Sequence, residues 1–390
     1  MQLFGYPMPA RPNDFLTHHQ VLEYLTSFAE QAELAERIAF STRVIAVEPR
    51  EYGGFQVTAE SRSGERLSRD YEAVVVATGC HSKPKWPRIP GFFNGKMMHA
   101  CEYRIRDVFL GKRVVVAGFG ASGADIACDA VDAARSVILS TRSGGYLVPR
   151  YVHGRPRDQN TRAWLALLPR AAIKLLWRLM LYRRSVSPKV CAVLERGASS
   201  FAKPAVINDH LATLIDADRV AVKPGIERFE GNRVVFSDGS FTDCDLLVCA
   251  TGYEPAYSFF SPDVAGQNGS FVDRYLRVVA PDQPDLYFVG RISVVGAFFP
   301  VLERQAMWVA DLIGGRCVLP EPAEMKRRAS KESKMAVSIY PDAGRREDTV
   351  EYYPYLRALS REHRAGLARR PRANPALADR VVALDPDFSS

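Results

Sequence analysis

Three unbroken apolar runs frame this chain: Ala73-Val74-Val75-Val76-Ala77, Val114-Val115-Val116-Ala117 and Leu246-Leu247-Val248-Cys249-Ala250. A run without polar alternation predicts a strand covered on both faces, as in a parallel sheet. Shorter strands are predicted at Arg43–Val47, Phe55–Ala59, Ser136–Ser140, Arg219–Val222, Arg233–Phe236 and Leu286–Gly290, the first two joined by a Gly53-Gly54 turn. Helical spacing shows in Val21, Leu22, Leu25 and Phe28, with Asn13-Asp14 as capping side chains, and again over Leu302–Ile313 and near 322–336 and 353–366. Lys83 to Pro90 is a Pro-punctuated linker, and the Arg/Pro/Ala-rich final twenty residues are expected to be loose.

Residues 161–184 are basic and helical in pattern, split by Pro169. Arg170, Lys174 and Arg178 form a charged stripe opposite Leu165, Leu168, Leu176 and Leu179. That pattern predicts an amphipathic helix packed on a domain, with a membrane-surface or access-channel helix as the alternative. No apolar run reaches the ~18 residues needed to span a bilayer.

At 390 residues with 47% hydrophobic and 25% charged positions, the chain is globular and long enough for two domains. Its net charge of +8, with 41 Arg against 11 Lys, suits anionic ligands but is too diffuse for nucleic acid. Seven scattered cysteines without a C-x-x-C pair point to a reducing, cytoplasmic setting. They argue against a zinc site and a dithiol redox centre, so no metal is expected. The opening Met1–Pro7 has neither the basic nor the apolar region of a signal peptide.

The chemistry begins where the second apolar run enters Gly118-Phe119-Gly120-Ala121-Ser122-Gly123 and a helix starts at Ala124. The first glycine allows the tight turn, the second the approach of a pyrophosphate, and the third close strand–helix packing. The helix N-terminus supplies aligned N–H groups for the anion. The next strand ends in Ser140-Thr141-Arg142-Ser143, with no carboxylate to hold a ribose 2′-OH. Hydroxyls beside the Arg142 guanidinium suit a 2′-phosphate, which selects NADPH over NADH. Gly118, Gly120, Ser122, Gly123, Thr141 and Arg142 are the predicted NADP contacts. Thr78-Gly79 and Thr251-Gly252 end two buried strands in small-residue turns that let the chain pass close to a dinucleotide.

Between these motifs lies Phe93-x-Gly95-x-x-x-His99-x-x-x-Tyr103, which resembles the fingerprint of the flavin-containing monooxygenases. Related Baeyer–Villiger enzymes usually have Trp at the last place, so Tyr103 favours the former. The resemblance extends over nearly the whole chain: Phe15–Leu25, Ile207-Asn208-Asp209, Cys249–Tyr253, Gln305 with Trp308, and Thr349–Tyr355. It implies an α/β fold of two interleaved Rossmann-like dinucleotide-binding domains. Residues 1–106 and 247–330 would form an incomplete FAD-binding domain, and 107–246 the NADPH-binding domain with a helical insertion at about 150–205. Residues 331–390 would be a C-terminal helical extension and tail.

The implied activity is FAD- and NADPH-dependent oxygenation of an amine nitrogen or sulfide sulfur by O2, through a flavin C4a-hydroperoxide shielded from water. Val44, Thr78, Gly290 and Gln305 are the implied FAD contacts, and no acid–base residue or nucleophile is assigned. Ala121 and Met307 depart from the usual Asn and Arg of the family. The family's opening flavin strand, with its own G-x-G-x-x-G, has no counterpart here. By that comparison roughly 60–70 residues would precede Met1, more than one βαβ unit of about 30 residues. The alternatives are a remnant that binds NADP(H) without FAD, and Baeyer–Villiger oxygenation of a ketone. A flavin disulfide reductase is disfavoured by the missing C-x-x-C.

Overall fold

The computed structural model describes residues 2–9, 15–152, 155, 156, 172, 187, 188, 190, 191, 204–254, 256–265, 274–283, 285–339 and 348–369. The basic stretch at 161–184 apart from position 172, most of the insertion at 150–205, Asn13-Asp14 and the final twenty residues lie outside them. The first helix, α1 (His18–Gln31), is capped by Thr17, whose side chain accepts the Gln20 N–H while the Gln20 side chain returns to the Thr17 N–H. Its apolar positions do not all turn inward. Tyr24 is the buried residue, whereas Leu22 and Leu25 are 63% and 38% exposed. The Tyr24 hydroxyl donates to the Tyr6 carbonyl and accepts from the Leu3 N–H.

An antiparallel meander follows: β1 (Thr42–Pro49), β2 (Phe55–Ser61) and β3 (Arg66–Tyr71). Next come β4 (Val74–Val76), β5 (Gly91–Phe93), β6 (Lys96–His99) and β7 (Arg113–Ala117). Helix α2 (Ala121–Ala130), β8 (Ser136–Ser140), the short helix α3 (Leu211–Asp216) and β9 (Ala221–Lys223) continue the chain. Strands β10 (Ile226–Gly231), β11 (Arg233–Phe236) and β12 (Phe241–Asp243) lead to β13 (Leu246–Cys249).

Five parallel strands form the central sheet in the order β9-β8-β7-β13-β6. Both of its faces are covered, which is why its strands are apolar throughout. Val114, Val116 and Val248 pack on α2 through Ala124, Ala127 and Ala130. Val115, Ala117, Leu247 and Cys249 face Phe229, Val234 and Phe236 of a second sheet, ordered β12-β11-β10-β5. The hydrogen bonding thus sets Lys96–His99 and Leu246–Cys249 in one sheet with β7 and β8.

The remaining elements are β14 (Leu286–Phe288), β15 (Ser293–Val295), α4 (Phe299–Ile313), α5 (Pro322–Ile339), β16 (Thr349–Glu351) and α6 (Tyr352–Arg369). Strand β4 pairs in parallel with β14 in a two-stranded sheet, and Val75 is 41% exposed. The expectation of burial on both faces therefore fails at β4, because only β14 flanks it among the described residues. Helices α4 and α6 pack around Trp308, Val309, Tyr355 and Leu359. Three buried arginines, Arg274, Arg277 and Arg291, lie beside this core, and Asp348 bridges Arg274 and Arg291. Among the described residues no helix is long and apolar enough to cross a membrane.

Candidate functional site

The turn after β7 is shaped by its own packing. Gly118 has φ +121°, and its N–H donates to the Ser140 carbonyl at 2.9 Å. A Cβ on Gly118 would sit 2.3 Å from the Ala250 oxygen, and one on Gly123 would sit 2.0 Å from the Gly118 oxygen. Strand, helix and the Thr251-Gly252 turn thus approach one another so closely that only glycine fits at these two positions. Gly120 is different: nothing lies within 4 Å of where its Cβ would be. It caps α2, and Ser122 is exposed on the first helical turn. An open space in front of a ten-residue helix N-terminus is the geometry of a diphosphate cradle.

At the end of β8 the sequence expectation is corrected in one respect. The Ser140 hydroxyl is buried and donates to the Pro224 carbonyl at 2.7 Å, so it is committed to the fold. The Thr141 N–H donates to the Lys223 carbonyl. Arg142 is exposed and makes no ion pair among the described residues, leaving its guanidinium open to an anion. Lys223 was not singled out in the sequence because the predicted strand stopped at Val222. The β9–β8 register sets it beside Ser140, where it donates to the Ser240 hydroxyl. The two hydrogen bonds from Ser240, first that of its hydroxyl, hold the Asp238 carboxyl below its ordinary range.

Each fingerprint residue has a distinct partner. A Cβ on Gly95 would lie 2.4 Å from the Phe93 ring, so the glycine makes room for the phenylalanine, which packs on Phe229. His99 is fully buried at the end of β6. Its Nδ1 accepts the Cys101 N–H at 3.2 Å, which leaves the hydrogen on Nε2 to donate to the Gly252 carbonyl at 3.0 Å. The same carbonyl accepts the Lys85 N–H. Tyr103 stacks on Phe109 and donates to Asp129 of α2. Burial, then the Asp129 hydrogen bond, raises the Tyr103 phenol, so it stays protonated. The segment thus ties the Lys83–Pro90 linker and the Thr251-Gly252 turn to the glycine-turn helix.

On the other side, Val44 is 40% exposed at a register shift in β1, and Thr78 is exposed beyond β4. An open groove of about 610 Å³ lined by Ser41, Thr42, Arg43, Glu60, Ser61 and Arg62 adjoins Val44. Gly290 and Gln305 are instead engaged with each other. Gln305 is fully buried, its Oε1 accepts the Gly290 N–H at 2.9 Å, and its Nε2 donates to the Tyr355 hydroxyl at 2.7 Å. Tyr355 in turn donates to the Leu276 carbonyl. Only one strand–glycine turn–helix unit stands among the described residues. This unit fits the diphosphate of NADP(H), whereas Val44 and Thr78, the implied FAD positions, are exposed and no second diphosphate cradle lies among the described residues.

Burial pushes the thiols of Cys128, Cys244 and Cys249 up to about 12, away from the range of an activated thiolate.

Residues 1–372 match the family model described as flavin-binding monooxygenase-like. The chain is 31% identical over 373 residues to flavin-containing monooxygenase 3 of Macaca mulatta, covering 91% of this chain and 69% of that protein. It is 30% identical over 374 residues to dimethylaniline monooxygenase [N-oxide-forming] 2 of Mus musculus, covering 92% and 69%. With flavin-containing monooxygenase 3 of Oryctolagus cuniculus it shares 30% over 338 residues, covering 82% of this chain and 63% of the relative. The chain therefore spans about two thirds of the length of its curated relatives. Among solved structures, S-allyl-L-cysteine S-oxygenase from Allium sativum superposes with a TM-score of 0.65 at 22% identity, covering 93% of this chain and 71% of that one. Cyclohexanone monooxygenase from Rhodococcus sp. Phi1 bound to NADP+ gives 0.66 at 18%, covering 93% and 85%. At these identities the structural likenesses establish the α/β Rossmann-type fold.

Proposed function

The chain belongs to the flavin-binding monooxygenase-like family, and from that premise we propose that it serves NADPH-dependent oxygenation of a soft nucleophile, an amine nitrogen or a sulfide sulfur. FAD and NADPH are the cofactors of the family; FAD, when bound, supplies the redox chemistry with O2. The observation that carries the reading is the open cradle at Gly120, with Arg142 exposed where a 2′-phosphate would lie.

The chain's own residues have three tasks in this reading. The α2 N-terminus and the Gly118–Gly123 turn receive the NADPH diphosphate. Arg142 pairs with the 2′-phosphate dianion and sets the preference over NADH. His99 and Tyr103 fasten the Gly252 turn and α2 to one segment, which keeps the walls of the nucleotide crevice in register.

Tyr103 at the last fingerprint position supports amine or sulfide oxygenation over the ketone chemistry of the Baeyer–Villiger group. A second reading, NADP(H) binding without FAD, is favoured by the single diphosphate cradle among the described residues and by the mutual engagement of Gly290 with Gln305. One experiment separates the readings. The purified chain is titrated with NADPH, its visible spectrum is recorded with and without added FAD, and NADPH oxidation is followed with a tertiary amine, a thioether and a cyclic ketone. Flavin bands with amine- or thioether-dependent oxygen incorporation are expected. NADPH binding without flavin bands favours the second reading, and turnover of the ketone alone overturns the choice of substrate class.

A further inference from the structure

Arg142 is the specificity residue of the proposed NADPH site, and Gly225, its neighbour across the sheet edge, lies against its stem. A Cβ on Gly225 would lie 2.7 Å from Arg142 Cγ and 3.5 Å from both its Cα and its Cβ, so the arginine stem runs against the bare face of the glycine. The Lys223-Pro224-Gly225 segment beneath it is held at three points. Its Lys223 carbonyl accepts from the Thr141 N–H at 3.0 Å, its Pro224 carbonyl from the Ser140 hydroxyl at 2.7 Å, and its Gly225 carbonyl from the Ser237 N–H at 2.9 Å. Gly225 is buried and is absent from the positive-φ positions, so its backbone accepts alanine and the missing side chain matters only for the space it leaves.

We propose that Gly225 is a positioning residue for nicotinamide-cofactor selectivity: its bare face seats the Arg142 stem and aims the guanidinium at the 2′-phosphate of NADPH. The inference rests on the NADPH reading of Arg142. A methyl group at position 225 leaves the arginine charged but drives its Cγ away, which spoils the hydrogen-bond geometry. NADH lacks the 2′-phosphate and does not sense the change.

Dissociation constants for NADPH and NADH, titrated on the full chain, test this for Gly225→Ala, Arg142→Ala and the double variant. Gly225→Ala is expected to weaken NADPH binding roughly tenfold, part of the worth of one hydrogen bond to a charged group. NADH binding stays unchanged, and Gly225→Ala adds nothing once Arg142 is alanine. Ser140→Ala, which frees the Pro224 carbonyl, lowers selectivity in the same direction and serves if the glycine variant folds poorly. Unchanged selectivity in Gly225→Ala, while Arg142→Ala loses it, overturns the proposal alone. Equal weakening of both cofactors, or further weakening in the double variant, assigns Gly225 a purely structural role and also overturns it. Unchanged selectivity in Arg142→Ala overturns the NADPH reading and the proposal with it.

Discussion

At the scale of single residues, the three glycines of the dinucleotide turn are not equivalent. Gly123 is fixed by contact, since its Cβ would overlap the Gly118 carbonyl, a backbone atom that cannot move aside. Gly120 is fixed by nothing in the protein itself. Gly120→Ala is therefore expected to cost at most about 1 kcal/mol of stability, the penalty of alanine at an N-cap, but to lose NADPH affinity at least tenfold, because the methyl group occupies the phosphate's space. Gly123→Ala should lose stability by roughly 1–3 kcal/mol as an overpacked site, with NADPH binding falling alongside. Thermal unfolding together with cofactor titration distinguishes the two. The motif and its packing were legible in the sequence because they depend on a local strand–turn–helix context. The inward turn of Ser140 and the seat beneath Arg142 were not. They depend on Pro224 and Gly225, more than eighty positions away, which meet β8 only through the sheet register.

Among elements, the C-terminal helix shows what a linear reading misses. Thr349–Tyr355 resembles a family segment in the sequence, and the same resemblance implied a flavin contact at Gln305. The structure joins them: Tyr355 of α6 and Gln305 of α4 carry a buried hydrogen-bond chain from Leu276 to Gly290. Tyr355→Phe strands the Gln305 amide and the Leu276 carbonyl in the core, at a cost of about 1–3 kcal/mol. A lowered denaturation midpoint measures it.

The start of the central sheet carries an acid-sensitive tie. Asp245, just before β13, accepts from the side chain and backbone N–H of Arg113 at the start of β7. These hydrogen bonds, led by the side-chain one, lower its pKa to about 2. An unfolded aspartate titrates near ~3.9, so the tie stabilises the fold above that pH and is lost as the pH falls through about 2. Urea midpoints for wild type and Asp245→Asn should differ at pH 5 and converge toward pH 2. Both residues are partly solvated, so the difference is small.

For the molecule as a whole, apolar patterning marked helix α1 and the central sheet, where both faces are covered, and misjudged the cover of β4. An apolar run reports a capacity for burial, and the partner that realises it must come from elsewhere. Leu22, Leu25 and Val75 keep that capacity unused among the described residues. At β4 the consequence concerns how the protein behaves in concentrated solution. The Val74 and Val76 backbones bond to β14, so the polar groups of Val75 point to the open side. Among the described residues nothing pairs with this apolar edge and no lysine or proline guards it, so it is a template for the edge of another chain. Light scattering should register association that grows with protein concentration, and Val75→Lys should suppress it while leaving the unfolding midpoint in place. A strand that reads as core is thus expected to set how the chain associates in concentrated solution.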